Sequence, residues 1–155
     1  MTQKKIHIRN ETKNNKAMSQ IEHLALEKSL TMTKPRKIIA HVLSESEDHP
    51  DVGTLFHRVS QIDKRISMAT IYRTLKLFEE YNILEKHDFR DGRSRYEKRS
   101  AQHHDHLIDL STGGVMEFYD EDLEKLKEKI ARKMGYELVD HRLELYALPV
   151  NYNKK

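Results

Sequence analysis

The chain contains no cysteine and no tryptophan, and only three prolines and five glycines in 155 residues. Without cysteine there are no disulfides and no thiolate metal sites, and the composition suits a reducing cytoplasm. Apolar runs reach only a few residues, far short of the ~20 that a membrane helix requires, so no membrane partner is expected. The N-terminal stretch carries Lys4, Lys5, Arg9, Lys13 and Lys16 but lacks the apolar core of a secretory signal. There is no phosphate-cradling glycine loop, no HExxH and no internal repeat.

Charge and histidine are abundant. Charged residues make up 34% of the chain against 37% hydrophobic, so the cores must be modest and the surface heavily charged. Net charge falls from +4 over residues 1–20 to +2 over 21–99 and −3 over 100–155. A basic front and an acidic back suggest a polyanion-binding part joined to a cation-binding part. Four potential ligands stand together at His103-His104-Asp105-His106. On a strand, alternate side chains point to opposite faces, which puts His103 and Asp105 on one side and His104 and His106 on the other. One strand could then serve two metal sites. A cation here must be held by imidazole and carboxylate, a donor set that suits Fe(II), Mn(II) or Zn(II).

Residues 1–18 are polar and lack any sustained period, and are read as a basic disordered arm. From Ser19 the pattern is helical, with Ile21, Leu24, Ala25 and Lys28 on one side. A second helix follows Thr33, with Pro35 in its first turn and Ile38, Ile39, Val42 and Leu43 as its apolar positions. A third runs from about Val52 to Asp63, expected to bury Leu55, Val59 and Ile62. Ser67 is an N-cap candidate for a helix to Tyr81, whose stripe is Met68, Ile71, Leu75 and Phe78. Tyr72, Arg73 and Lys76 fall off that stripe. Two β-like runs, Ile83–Phe89 and Ser94–Lys98, flank Asp91-Gly92. Three helices, a basic fourth in the recognition position and a hairpin describe a winged helix-turn-helix. In that frame Tyr72 and Arg73 meet base edges or phosphates, and Arg90, Arg93 and Arg95 grip flanking phosphates.

The remainder has a different pattern. Asp105–Leu110 and Val115–Tyr119 are expected as strands around Gly113-Gly114. A helix follows from Asp120 to Met134, striped by Leu123, Leu126, Ile130 and Met134 and ended by Gly135. A long strand from about Glu137 to Leu148 would carry Val139, His141, Leu143, Leu145 and Ala147 on one face. His141 interrupts that apolar face and needs a polar partner, which a metal would supply. This unit of some 45 residues is too small to bury much alone, so a homodimer is expected. The fold class is therefore α+β: an N-terminal winged helix-turn-helix at 19–99, a small C-terminal α/β dimerisation and metal-binding domain at 100–150, and a tail at 151–155.

From about residue 20 to 150 the chain resembles the ferric uptake regulator family. The resemblance is carried by Met68-Ala-Thr-Ile-Tyr-Arg-Thr74, His103-His-Asp-His-Leu-Ile108, Val115-Met-Glu-Phe118 and His141-Arg-Leu-Glu-Leu-Tyr146. Absence of cysteine is similar to the alphaproteobacterial branch, which lacks the four-cysteine structural zinc site; Asp109 and Thr112 stand where relatives carry the first cysteine pair. The resemblance implies one metal site of His103, Asp105, Glu124 and His141. It implies a second, interdomain site of His49, Glu97, His106 and Glu117, with His104 as a fifth ligand. Relatives place a lysine before the second helix in the minor groove; this chain has Thr31 there, and Lys28 or Lys34 would substitute. Ser67, Thr70, Tyr72, Arg73 and Lys76 are then the DNA-facing set.

The resemblance further implies a cytoplasmic, dimeric repressor that binds palindromic AT-rich double-stranded operators of metal-homeostasis genes. Its corepressor would be Fe(II) or Mn(II), with Zn(II) also suited to either site. Two other readings are a zinc- or peroxide-responsive member of the same family and a small metal-dependent hydrolase. A hydrolase needs an open coordination position and an acid or base beside it. Nothing in the chain marks one, and a winged helix would then have no role.

Overall fold

The computed structural model describes residues 17–153. The arm read at residues 1–18 therefore lies almost wholly outside the described residues. In chain order the elements are α1 (Gln20–Glu27), α2 (Lys34–Glu45), α3 (Val52–Ile62), α4 (Met68–Glu80), β1 (Leu84–Asp88), β2 (Ser94–Lys98), β3 (Asp105–Asp109), β4 (Val115–Phe118), α5 (Glu121–Lys133) and β5 (Glu144–Ala147).

Helix starts are set by side chains that satisfy the orphan backbone N–H groups of the first turn. Ser19 and Glu22 form a capping box, with Glu22 N–H donating to Ser19 Oγ at 3.2 Å and Ser19 N–H to Glu22 Oε2 at 2.8 Å. Asp51 accepts from Thr54 N–H at 2.7 Å to open α3, and Ser67 accepts from Thr70 N–H at 3.2 Å to open α4. The apolar stripes of the four helices converge on one core that includes Ile21, Ala25, Ile39, Leu55, Val59, Ile71, Leu75, Phe78 and Ile83. Each large apolar side chain buried there stabilises the fold by about 1.5–3 kcal/mol.

Two expected core residues are outside it. Ile62, the last residue of α3, is 54% exposed, and Met68, the first of α4, is 38% exposed. At a helix end the stripe runs past the body it packs on, so a residue in phase still faces water.

β1 and β2 pair antiparallel from Leu84↔Lys98 to Asp88↔Ser94. Their turn uses Arg90 (φ 63°) and Gly92 (φ 75°) in the left-handed region. This hairpin packs beside α4 as the wing of a winged helix.

The second sheet has the order β4-β3-β5, with β3–β4 antiparallel and β3–β5 parallel. α5 makes the crossover that a parallel pair requires. The tight β3–β4 connection is held by Asp109, which accepts from Ser111 N–H at 2.8 Å, Ser111 Oγ at 2.6 Å and Thr112 Oγ1 at 3.1 Å. A hydrogen-bonded Asp turn thus occupies the place where relatives were expected to carry a cysteine pair.

The long strand expected over 137–148 is four residues, Glu144–Ala147. β3 offers only its residues His106–Asp109 for pairing, so the preceding segment has no ladder to join, and Val139 is 95% exposed. Likewise β3 starts at Asp105, and His103 and His104 precede it. α5 buries no residue: Leu126, Ile130 and Met134 are 51%, 49% and 70% exposed. Among the described residues no helix is long and apolar enough to cross a membrane.

Candidate metal centre and recognition helix

Four separate parts of the chain bring five ligand-type side chains to one point. His49 enters from the loop before α3, Glu97 from β2, His106 from β3 with His104 just before it, and Glu117 from β4. One ligand atom from each lies within 4.8 Å of every other. The pairing explains why. Tyr96 N–H donates to Pro50 O at 3.0 Å, tying the His49 loop to β2, and His106 lies directly opposite Glu117 in the β3–β4 ladder.

Glu97 is the centre of this group. It is only 8% exposed, and among the described residues its ion-pair partners are all histidines. Burial raises its pKa, but the imidazoles of His106, His49 and His87 outweigh that and hold it well below the usual carboxylate range.

The directions of the bonds are more telling than the distances. His49 Nε2 contacts Glu97 Oε2, and His106 Nε2 lies 3.5 Å from the same oxygen. Neither nitrogen makes a hydrogen bond, though both are buried. Buried polar atoms left without partners are rare and costly. Here nitrogens and carboxylate oxygens converge on a shared volume, an arrangement in which their lone pairs can coordinate one cation. The donor set therefore fits a divalent ion of intermediate character.

Phe89, 2% exposed, forms an apolar wall on one side. It stacks on His87 (centroids 5.3 Å, 14° between planes) and packs against His106 at 5.2 Å.

A second group lies on the other side of β3. His103, Asp105, Glu124 and His141 also bring ligand atoms within 4.8 Å of one another. His103 Nε2 is 3.1 Å and His141 Nε2 3.3 Å from Asp105 Oδ1, and Asp105 is 1% exposed. Asp105 Oδ2 is buried without a hydrogen bond. The division of the histidine run between two faces thus occurs in space, although only Asp105 and His106 of the four are in the strand itself.

Sequence reasoning passed over two functional neighbours. His87 hydrogen-bonds Glu97 Oε1 at 2.7 Å and so orients that carboxylate. The hairpin register held the signal, because it sets His87 against Arg95, two positions along from Glu97. Lys127, one turn after Glu124 on α5, places its amine among the second group; its i, i+3 spacing from Glu124 was visible.

On α4, Tyr72, Arg73 and Lys76 are exposed and face the wing across a cleft also lined by Lys86, Gly92 and Arg93. Thr70 Oγ1 accepts from Arg73 Nη2 at 3.3 Å and lies 3.1 Å from Ser67 Oγ, so the N-terminal turn is pre-arranged. Lys28 and Lys34 lie elsewhere, at the C-cap of α1 and the first residue of α2.

Among the three wing arginines, Arg95 differs from expectation. Arg95 is 9% exposed and donates to His49 O at 2.9 Å, Gly113 O at 2.7 Å and Asp91 Oδ2 at 3.1 Å, so it is a structural tie with no reach to a phosphate. Arg93 pairs with Asp91 and Asp51, and Arg90 sits 4.8 Å over the Tyr146 ring.

Comparison with known proteins agrees with this architecture. The model of the "Ferric uptake regulator family" matches residues 27–146. A "Ferric uptake regulation protein" from Rhizobium leguminosarum bv. viciae is 55% identical over 130 residues, covering 84% of this chain and 92% of that protein. A solved zinc-bound manganese uptake regulator superposes with a TM-score of 0.76 at 55% identity, over 85% of this chain and all of that one. A second manganese uptake regulator structure, 54% identical, gives 0.60 over 87% and 98%. With both halves matched collinearly, this chain belongs to the ferric uptake regulator family.

Proposed function

We propose that the chain is a metal-dependent transcription repressor that binds a palindromic operator as a homodimer in the cytoplasm. We divide it into a winged-helix DNA-binding domain at 19–99 and a dimerisation and metal-binding domain at 100–150. The observation that carries the reading is the buried Glu97–His49–His104–His106–Glu117 group. Its ligands come from both sides of that boundary, and it includes buried imidazole nitrogens that make no hydrogen bond.

When bound there, Fe(II) or Mn(II) supplies positive charge that both domains share. His49 and Glu97 belong to the DNA-binding side, and His104, His106 and Glu117 to the other. Holding all five at once restricts how the two halves are oriented, and that bias equals the difference in ligand affinity between the orientations. His87 keeps Glu97 aimed inward, and Phe89 keeps bulk water off one side. The other group, His103, Asp105, Glu124 and His141, lies wholly within the second domain and is suited to a cation that stabilises that domain.

On the DNA side, α4 enters the major groove. Tyr72 meets thymine methyls, Arg73 pairs with guanine or phosphate, and Lys76, Ser67 and Thr70 contact the backbone. Lys34 or Lys28 stands in for the minor-groove lysine that relatives place before α2. Dimerisation covers the open apolar face of α5 and sets the spacing of the two recognition helices.

The test is fluorescence anisotropy on an AT-rich palindromic duplex with chelated, Fe(II)-loaded and Mn(II)-loaded protein. Tight, specific binding is expected only with metal, and its strength with each ion decides between iron and manganese. Equal binding in chelator overturns the reading.

A further inference from the structure

The two clusters of ligands differ in one respect that bears on which of them fills first. Among the described residues, the ion-pair partners of Glu97 and Glu117 are all histidines. The second group instead contains a cation of its own. Lys127 Nζ lies 2.6 Å from Glu124 Oε1 and 3.6 Å from Asp105 Oδ2, and it contacts His141 Nε2. Its side chain is 17% exposed, and Asp105 is 1% exposed.

A divalent ion bound by these four residues would sit about 2.0–2.2 Å from each ligand atom. The amine already touches two of them and is within Coulombic reach of a third. Ammonium and metal therefore contend for the same small volume. Their like charges in a half-buried place repel far more than they would in water.

We propose that Lys127 is a resident counter-cation of the His103–Asp105–Glu124–His141 group. It neutralises the two carboxylates while the group is metal-free, and it must swing away before a metal can bind. Lys127 is partly exposed and its α5 neighbours Lys125 and Glu128 are exposed, so the flexible lysine stem has a path towards solvent. With two carboxylates and one ammonium, this group carries one negative charge fewer than the interdomain group, whose two carboxylates face only imidazoles. The interdomain group fills first, and the second group fills only at higher metal concentration. Lys127 thus separates the two occupancies and opens a range of metal concentration in which the interdomain group alone is filled. The inference rests on the metal-binding function proposed above.

The experiment is a Mn(II) titration of the chelator-stripped full-length protein, reading free Mn(II) by electron paramagnetic resonance. Wild type, Lys127→Met (the stem kept, the charge removed), His106→Ala and the double variant are compared. Two classes of site are expected in wild type. Lys127→Met should tighten the weaker class at least tenfold and leave the tighter class unchanged. In the His106→Ala background the same tightening should appear in the class that remains.

Thermal melting gives an independent readout. Lys127→Met should melt below wild type without metal and level with it at saturating Mn(II). A deficit of equal size with and without metal would mean a merely structural lysine and overturns the proposal. Unchanged affinity of the weaker class also overturns it, while leaving the metal-binding function intact. Absence of Mn(II) binding in every variant overturns both.

Discussion

Arg95 joins the wing to the second sheet by donating to the carbonyl oxygen of Gly113 at 2.7 Å. Its other terminal nitrogen holds the carbonyl of His49 at 2.9 Å. One nearly buried guanidinium therefore ties the wing both to the loop that carries an interdomain histidine and to the turn between β3 and β4. The contact needs no metal. It joins the wing to the second sheet independently of the proposed interdomain metal ligands.

Arg95→Ala should remove this tie. Hydrogen bonds to a charged group contribute about 1.5–3 kcal/mol each, and the two carbonyls are left poorly satisfied. A lower melting temperature and faster amide exchange across residues 112–114 are expected in the metal-free protein. Exchange unchanged from wild type would show that the link has no energetic weight.

His106→Ala removes an interdomain ligand but no part of the main apolar core. Metal-dependent operator binding should disappear, while sedimentation still reports a dimer. A full response to Fe(II) or Mn(II) in the gel shift would rule out His106 as a ligand that matters.

Arg73→Ala should weaken operator binding by about 1–3 kcal/mol, the worth of a good base-edge contact, or roughly five- to 150-fold. Metal affinity should be unaltered, since Arg73 makes no contact with either ligand group. If the metal titration moved and the anisotropy did not, α4 would not be the reading helix.

Leu126, Ile130 and Met134 form an exposed stripe on α5, which the proposed second copy would cover. Ile130→Lys puts a charge into that face. Desolvating an unpaired ammonium is costly, so sedimentation should show a shift towards monomer at micromolar concentration. A dimer as tight as wild type would place the interface elsewhere.

Asp109 is held below the usual carboxylate pKa by its hydrogen bonds from the Ser111 side chain and backbone and from Thr112. Because its folded pKa is lowered, its contribution is present above the unfolded pKa of about 4 and is lost as pH falls below it. Asp109→Ala should therefore melt below wild type at pH 7, with the gap narrowing between about pH 5 and pH 3. A gap that widens in acid would contradict the role assigned to this turn.

Much of the fold was legible because it is local. The caps at Ser67 and Asp120, the stripe Ile71–Leu75–Phe78, the glycine turn at 91–92 and the stop at Gly135 each depend on a few neighbouring residues. Errors fell where locality ends. Ile62 and Met68 keep helical phase but lie beyond the packed body, and the segment before Glu144 has strand-like alternation with no strand beside it. The resemblance to a family supplied His49 and Glu97, which no periodicity would have singled out.

The chain by itself determined that any bound cation must meet imidazole and carboxylate, that a basic helix precedes a hairpin, and that the histidine run divides between two faces. Those properties come from composition and from backbone repeats of 3.6 and 2 residues. Only the tertiary structure decided that Arg95 is a tie and not a phosphate grip, that His87 aims Glu97, and that Lys127 stands among the ligands of the second group. Such relations join residues from different elements, and their distances depend on how whole helices and sheets pack, which no local pattern encodes.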